Sequence, residues 1–382
     1  MSGLEAVKAD CRSFARPNAG KTTERYAMKY DHLLTVILAP DNLWTAAAAV
    51  VRNRGAAGVD GMRVDDLEAY LHENWAGIRA RILAGEYHPQ PVRGVEIPKP
   101  SGGTRLLGIP TVVDRTIQQA IQQVLSRAWD ATFSPFSYGF RPGRNAHQAL
   151  EQSLAYINVG YQDIIDLDLK SFFDRVNHDI LMGLLRRRIS DPMLLRLIRR
   201  YLQSGMLLGG VVSPRSEGTP QGGPLSPLLS NILLDEFDRE LTRRGHRFVR
   251  YADDCSIFLR SPSAARRVRA SVERWLETKL RLVVNAQKTV ICRPVKFTLL
   301  GYGFVPSYRK GERGVYRLRI AATSWKRLRE KVKRITRKTL PLTLAQRIAR
   351  LNRLLRGWNF VMGPLNPIPR VFQTRHRTRQ AA

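Results

Sequence analysis

The stretch RFVRYADDCSIFLR, residues 247–260, constrains the fold more than any other, because it sets two adjacent aspartates between two short apolar runs. Each run is rich in β-branched, aromatic or aliphatic residues, so the pattern predicts two strands joined by a tight turn carrying Asp253 and Asp254. Turn chemistry favours Asn-Gly or Asp-Gly, which accept positive φ, and gives no reason for Asp-Asp. Two carboxylates held this close repel unless one is protonated or a cation lies between them. The pair is therefore either part of a solvated loop or part of a metal site, and the rest of the chain must decide.

A third carboxylate stands upstream in DIIDLDLKSFFDRVNHD, residues 163–179. Ile165, Leu167 and Leu169 alternate with Asp166, Asp168 and Lys170, the period of a half-buried strand, so the polar three share one face. That face is either a solvent-facing acidic edge or the partner of the Asp-Asp hairpin. Transfer of a nucleotidyl group by two metals needs such acidic ligands around ions about 3.5–4 Å apart. Between the two segments lies EGTPQGGPLSPLLSNILLDEFDREL, residues 217–241. Its Pro and Gly residues forbid a helix at first, and the pattern predicts a helix start with Ser226 as N-cap and Pro227 at the first helical position. The glycines before it let backbone approach a ligand closely.

Composition narrows the partner. Against 32 Asp and Glu stand 63 Lys and Arg, a formal net charge of +31 in a chain of 382 residues with 43% hydrophobic residues. Such a chain buries a core, so the excess is not that of a disordered basic tail, and it points to a polyanion, nucleic acid first. TVILAP and the alanine-rich run after Trp44 are too short to span a bilayer, and Glu5 and Asp10 interrupt any apolar signal segment. Cys11, Cys255 and Cys292 are too far apart for a zinc knuckle or a disulfide framework, and a reducing cytoplasm is expected.

Beyond Tyr308 the character changes. Trp325, Leu328, Val332 and Ile335 fall on one helical face amid eight Lys and Arg between residues 326 and 338. A second helix is predicted from Thr343, with Gln346 completing a capping box and Leu344, Ile348, Leu351, Leu355 and Trp358 as its apolar stripe. This reads as a helical hairpin that grips nucleic acid.

The ordered set of segments resembles the reverse transcriptases encoded by bacterial group II introns, the reverse transcriptase/maturases. The blocks that carry the resemblance are GAAGVDGM (55–62), VEIPKPSGGTRLLGIPTVVDRTIQQAI (95–121), YGFRPGRNAHQAL (138–150), DLDLKSFFDRVNHD (166–179), EGTPQGGPLSPLLSNILLDEFD (217–238), RYADD (250–254) and LRLVVNAQKT followed by FTLLGYGF. They appear in the family's order.

The resemblance implies roles for individual residues. Asp168, Asp253 and Asp254 match the catalytic aspartates, and Leu169 would lend its carbonyl to the metal, giving a site for two Mg²⁺ ions. Phe173 matches the residue under the incoming sugar, where a ring excludes a 2′-hydroxyl. Lys99 and Arg105, about the predicted turn PSGG, match a triphosphate-binding pair. Gln221 and Gly222 would lie near the nascent base pair, Arg141 and Arg144 against the template or primer backbone, and Lys288 beside the departing pyrophosphate.

The implied fold is α+β, a right-hand polymerase. It would have an N-terminal helical extension (1–50), fingers and an antiparallel-sheet palm (51–305), and a short, basic, helical thumb or maturase-like region (306–382) that reads as truncated. The implied activity is RNA-directed DNA polymerisation from a primer 3′-hydroxyl. The implied partners are an RNA template, a DNA primer and its own intron RNA, with no membrane and no small molecule beyond dNTP and metal. Two alternatives stand beside this reading: a catalytically idle RNA-binding splicing factor, and a reverse transcriptase of a defence system.

Overall fold

The computed structural model describes residues 32–98, 102–308, 314–363 and 365. Along the chain the strands are β1 (Val92–Pro98), β2 (Thr104–Ile109), β3 (Asp163–Leu167), β4 (Met206–Leu208), β5 (Val211–Ser213), β6 (Arg247–Tyr251), β7 (Asp254–Leu259), β8 (Val290–Cys292), β9 (Thr298–Leu299), β10 (Tyr302–Pro306) and β11 (Tyr316–Ile320). The chain divides into two compact units, one of Met1–Val124 with His178–Ser216 and one of Leu125–Asn177 with Glu217–Ala382.

The first unit carries the sheet β2-β1-β4-β5. The hairpin expected around PSGG is present, since β1 and β2 pair antiparallel from Arg93 opposite Ile109 to Pro98 opposite Thr104. Asp114 is its polar anchor. This buried carboxylate accepts hydrogen bonds from Tyr87 (2.7 Å), Thr111 (2.8 Å) and Tyr201 (3.2 Å), which satisfies a charge that burial otherwise pushes toward protonation.

The second unit is built on the antiparallel sheet β6-β7-β3-β8. Side chains alternate across its two faces. Ile165, Leu167, Phe248, Ile257 and Cys255 occupy one face, all buried. The opposite face changes character along its length. Ile164, Phe258 and Val249 lie at one end, where the helix Ala146–Asn158 covers them and Tyr156 meets Phe258 at 5.5 Å. Asp166, Asp168 and Asp254 lie at the other end. The helices that order this unit start where local chemistry dictates: Asn145 and Gln148 form a capping box, and Ser261 caps Pro262–Trp275.

A smaller sheet, β11-β10-β9, continues the same core through Phe304, Tyr302 and Ile320. After it come the helices Ala322–Thr336 and Leu344–Met362, joined by a turn in which Thr343 and Gln346 form the expected capping box. The expected apolar stripes are only partly realised. Leu328 is buried and Trp325 meets Trp358 in a tilted contact at 4.7 Å, but no residue of the second helix is buried, and Leu344 is 74% exposed. Periodicity marks a face and not the surface that covers it. Among the described residues no helix is long and apolar enough to cross a membrane.

Candidate active site

The hairpin β6–β7 is the centre of the site, and its turn is one residue off the expected position. Tyr251 pairs with Asp254, so the two turn residues are Ala252 and Asp253, while Asp254 opens β7. Ala252 adopts φ 59, a position that ordinarily takes glycine. The surroundings impose this conformation. On β6, Arg250 is wholly buried and donates to Asp238 through Nε (2.8 Å) and Nη2 (2.6 Å), and through Nη1 to Asn231 Oδ1 (2.9 Å) and to the Ala252 carbonyl (2.8 Å). Asn231 and Asp238 stand on the helix Ser226–Arg243, and Asn231 also donates to the Gly139 carbonyl at 2.9 Å. Gly139 lies so close that a Cβ there would overlap the Ala252 nitrogen. The turn that carries Asp253 is thus held from beneath by one guanidinium and from the side by one glycine.

Strand register decides what faces Asp254. Because Leu167 pairs with Cys255, the next residues along, Asp168 and Asp254, stand opposite each other. Because Asp166 pairs with Val290, Asp168 stands likewise opposite Lys288, whose Nζ lies 3.7 Å from Asp168 Oδ1. The Asp168 backbone is fixed by the segment NAQKT: Asn285 donates to its carbonyl (2.8 Å), and its own N–H donates to Thr289 Oγ1 (3.1 Å). Leu169 bridges Val284 through bonds made by its neighbours, so its own carbonyl points away from that strand.

The electrostatics are those of crowded carboxylates. Desolvation, then the charges of Asp253 and Asp168, push Asp254 up to about 6, against the opposing pull of Lys288. Asp254 itself opens β7 at an exposed position. Desolvation, Asp254 and Asp168 push Asp166 up to about 6 as well. Among the described residues no three side-chain donors converge into a ready metal cage. A divalent ion of the magnesium type does not require one, because it keeps waters and takes one or two carboxylates together with substrate phosphates. Mutually repelling carboxylates with raised proton affinity fit that demand.

Comparison with known proteins decides the family. The model for reverse transcriptase (RNA-dependent DNA polymerase) matches residues 97–304, more than half the chain, and that for the group II intron maturase-specific domain matches 325–359. The chain belongs to the group II intron reverse transcriptases. Protein YkfC of Escherichia coli is 34% identical over 305 residues, covering 69% of this chain and 80% of its own. Group II intron-encoded protein LtrA of Lactococcus lactis is 35% identical over 222 residues, 58% of this chain and 37% of its own. Retron Mx65 reverse transcriptase of Myxococcus xanthus is 32% identical over 210 residues, 52% of this chain and 47% of its own. The chain thus spans four-fifths of the first of these relatives and less than half of the other two. The family is one of metal-dependent polymerases that copy RNA templates, on an α+β polymerase fold.

The remaining candidates of this reverse transcriptase sort by what their side chains touch. Phe173 follows Asp168 on a 3₁₀ turn, half-buried, edge-on to Phe172 at 5.2 Å. The segment EGTPQGG runs directly behind that turn. Thr219 donates to the Phe173 carbonyl (2.6 Å) and Gly218 to that of Val176 (2.8 Å), while Gly218 leaves no room for a Cβ against Asp174. Gln221 is half-buried and Gly222 exposed, with φ 141. Ser226 corrects an expectation: it is the first helical residue, not the N-cap, and its hydroxyl donates back to the Pro220 carbonyl (2.8 Å), closing the loop.

Arg141 is a second correction. Its guanidinium is spent inside the protein, on Asp130 Oδ1 (2.7 Å) and on the carbonyls of Ser134 (2.7 Å), Ser137 (2.9 Å) and Asp130 (2.8 Å), with a side chain only 5% exposed. It braces the loop with four of its five N–H donors, so the internal bonds and not a phosphate hold the group in place. Arg144 rests over the Tyr138 ring at 5.6 Å, half-exposed. Arg105 is exposed on β2 in the first unit, and Lys99 lies outside the described residues. Sequence reasoning missed Arg250, Asn231, Asp238 and Gly139. The available signal was polar residues at apolar positions of the helix stripe in SNILLDEFD and an arginine inside a strand otherwise fit for burial.

Proposed function

We propose that this chain is an active RNA-directed DNA polymerase of a group II intron-like element, extending a DNA primer with deoxynucleoside triphosphates on an RNA template. The observation that carries the reading is the register that sets Asp168 opposite Asp254, with Asp253 in the adjoining turn, inside the segment that matches the reverse transcriptase family.

In this reading Asp168, Asp253 and Asp254, with the Leu169 carbonyl, hold two Mg²⁺ ions. When bound, these supply activation of the primer hydroxyl and neutralisation of the triphosphate. The residues themselves position and screen. Lys288, already within reach of Asp168, balances negative charge on the departing pyrophosphate side. Phe173 stands beneath the sugar and excludes a 2′-hydroxyl by bulk. Gln221 and Gly222 lie along the nascent pair, where a glycine permits close approach. Lys99 and Arg105 take the triphosphate, and Arg144 the strand backbone. Attack then depends on alignment more than on proton transfer by the protein.

Residues 51–305 serve as fingers and palm, and the region from 306 as a basic thumb. Its match to the maturase-specific domain favours a second role in holding intron RNA. The compartment proposed is the cytoplasm, in keeping with free thiols at Cys255 and Cys292. The test is primer extension on an RNA template with dNTPs and Mg²⁺, comparing the chain with Asp253→Ala/Asp254→Ala. Extension by the first alone supports the polymerase. Tight RNA binding by both without extension would leave the splicing factor as the better account.

A further inference from the structure

Phe140 combines two features that a folded protein rarely leaves together. Its backbone sits in the left-handed region at φ 57, and its side chain is 51% exposed. A bulky residue in that region is strained, and glycine or asparagine would relieve it. Burial of the ring does not compensate, and among the described residues no other ring stacks on it. Strain retained without a packing return is a mark of functional constraint.

Its neighbours show how the conformation is enforced. On one side Gly139 packs against the Tyr251–Ala252 backbone, and its carbonyl is held by Asn231 at 2.9 Å. On the other side Arg141 is locked by its bonds to Asp130, Ser134 and Ser137. Phe140 is the residue between two clamps, one of them built on the turn that bears Asp253. Resting on the polymerase reading above, we infer that Phe140 is a nucleic-acid contact. Its ring packs on a nucleoside of the primer–template close to the growing end. Stacking suits such a place, since every base has a π-face and a polymerase must accept all sequences. Arg144, four residues on and half-exposed, supplies positive charge to the same loop.

The experiment uses the full chain with Phe140→Gly and Phe140→Trp. It reads the Kd for a fluorescein-labelled DNA primer annealed to RNA by anisotropy, and the melting temperature of the protein without nucleic acid. Glycine removes the ring and the backbone strain together, so Phe140→Gly is expected to melt no lower than the parent chain. Its Kd is expected to rise roughly five- to 150-fold, the range of base stacking on one aromatic. Phe140→Trp is expected to keep the parent's affinity. Unaltered affinity in Phe140→Gly overturns the inference. So does a fall in its melting temperature or a failure to fold, which would make the ring a packing residue. Primer extension by the parent chain, run alongside, separates this outcome from failure of the polymerase reading itself.

Discussion

Arg250 and Asp238 meet fork to fork in the interior of the second unit, with Nε–Oδ1 2.8 Å and Nη2–Oδ2 2.6 Å and side chains 1% and 0% exposed. The same guanidinium donates to the Ala252 carbonyl, so one buried cation serves both the helix Ser226–Arg243 and the turn before Asp253. Removing one partner of a buried pair leaves the other charge uncompensated, whereas replacing both by apolar groups is often neutral. Arg250→Met is therefore expected to destabilise the protein by about 3–5 kcal/mol. Arg250→Met/Asp238→Leu should recover most of that stability in urea unfolding without recovering primer extension, because the Ala252 carbonyl still lacks its donor. If the double variant regained activity along with stability, the guanidinium would matter only for folding.

The carboxylate cluster predicts an unusual pH dependence. A carboxyl raised to about 6 in the folded chain, as at Asp254 and Asp166, keeps its proton where an unfolded one near 3.9 has lost it. Between about pH 4 and 6 the folded state thus binds more protons, and the contribution of these groups to stability falls as pH rises through that window. Asp254→Asn removes one such group. Its melting temperature without metal should gain on that of the parent chain as pH goes from 4 to 7, and Mg²⁺ at pH 7 should stabilise the parent more than the variant. A difference between the two chains that stayed constant with pH would count against close carboxylate coupling.

Much of this site was legible in the sequence because strand periodicity and register are local rules. The alternation in IIDLDLK put Asp166 and Asp168 on one face, and the two apolar runs around Asp253 and Asp254 became β6 and β7. The exact turn was not legible. A hairpin centred on Asp253-Asp254 and one centred on Ala252-Asp253 differ by a single residue. What selects the second is the contact of Gly139 with the Ala252 backbone, 113 positions away in sequence, together with Arg250 beneath it. Arg141 and Arg144 illustrate the same limit. Both are basic residues in one loop motif, yet Asp130 and two carbonyls claim the first and leave the second half-exposed.

Sugar selection should respond to two residues in different ways. Phe173→Ala removes the ring proposed to oppose a 2′-hydroxyl, and should raise the ratio of ribo- to deoxynucleotide incorporation roughly tenfold or more. Gly218→Ala acts from behind. An alanine forced to φ 85 with its Cβ pressed to 2.9 Å from the Asp174 backbone displaces the whole turn. It should slow incorporation of both sugars without the same gain in ratio. Single-nucleotide extension with dNTP and rNTP in parallel measures both, and an unaltered ratio in Phe173→Ala would remove it from the sugar site.

Arg141 and Arg144 should separate cleanly under salt. A cation that neutralises a phosphate releases a counterion, so its loss lowers the steepness of log K against log [salt] by about one contact, a slope change of roughly 0.7–0.9. Arg144→Ala is expected to show that change in binding of a primer annealed to RNA, with little effect on unfolding. Arg141→Ala removes one donor from each of the carbonyls of Ser134, Ser137 and Asp130, and the ion-pair partner from the Asp130 carboxylate. Its expected signature is a loss of stability of about 1–3 kcal/mol at an unaltered salt slope. Titrations of both variants between 50 and roughly 200 mM salt, the range over which phosphate contacts are most visible, provide the comparison. A lowered slope in Arg141→Ala would mean that its internal bonds open to let the guanidinium reach the nucleic acid.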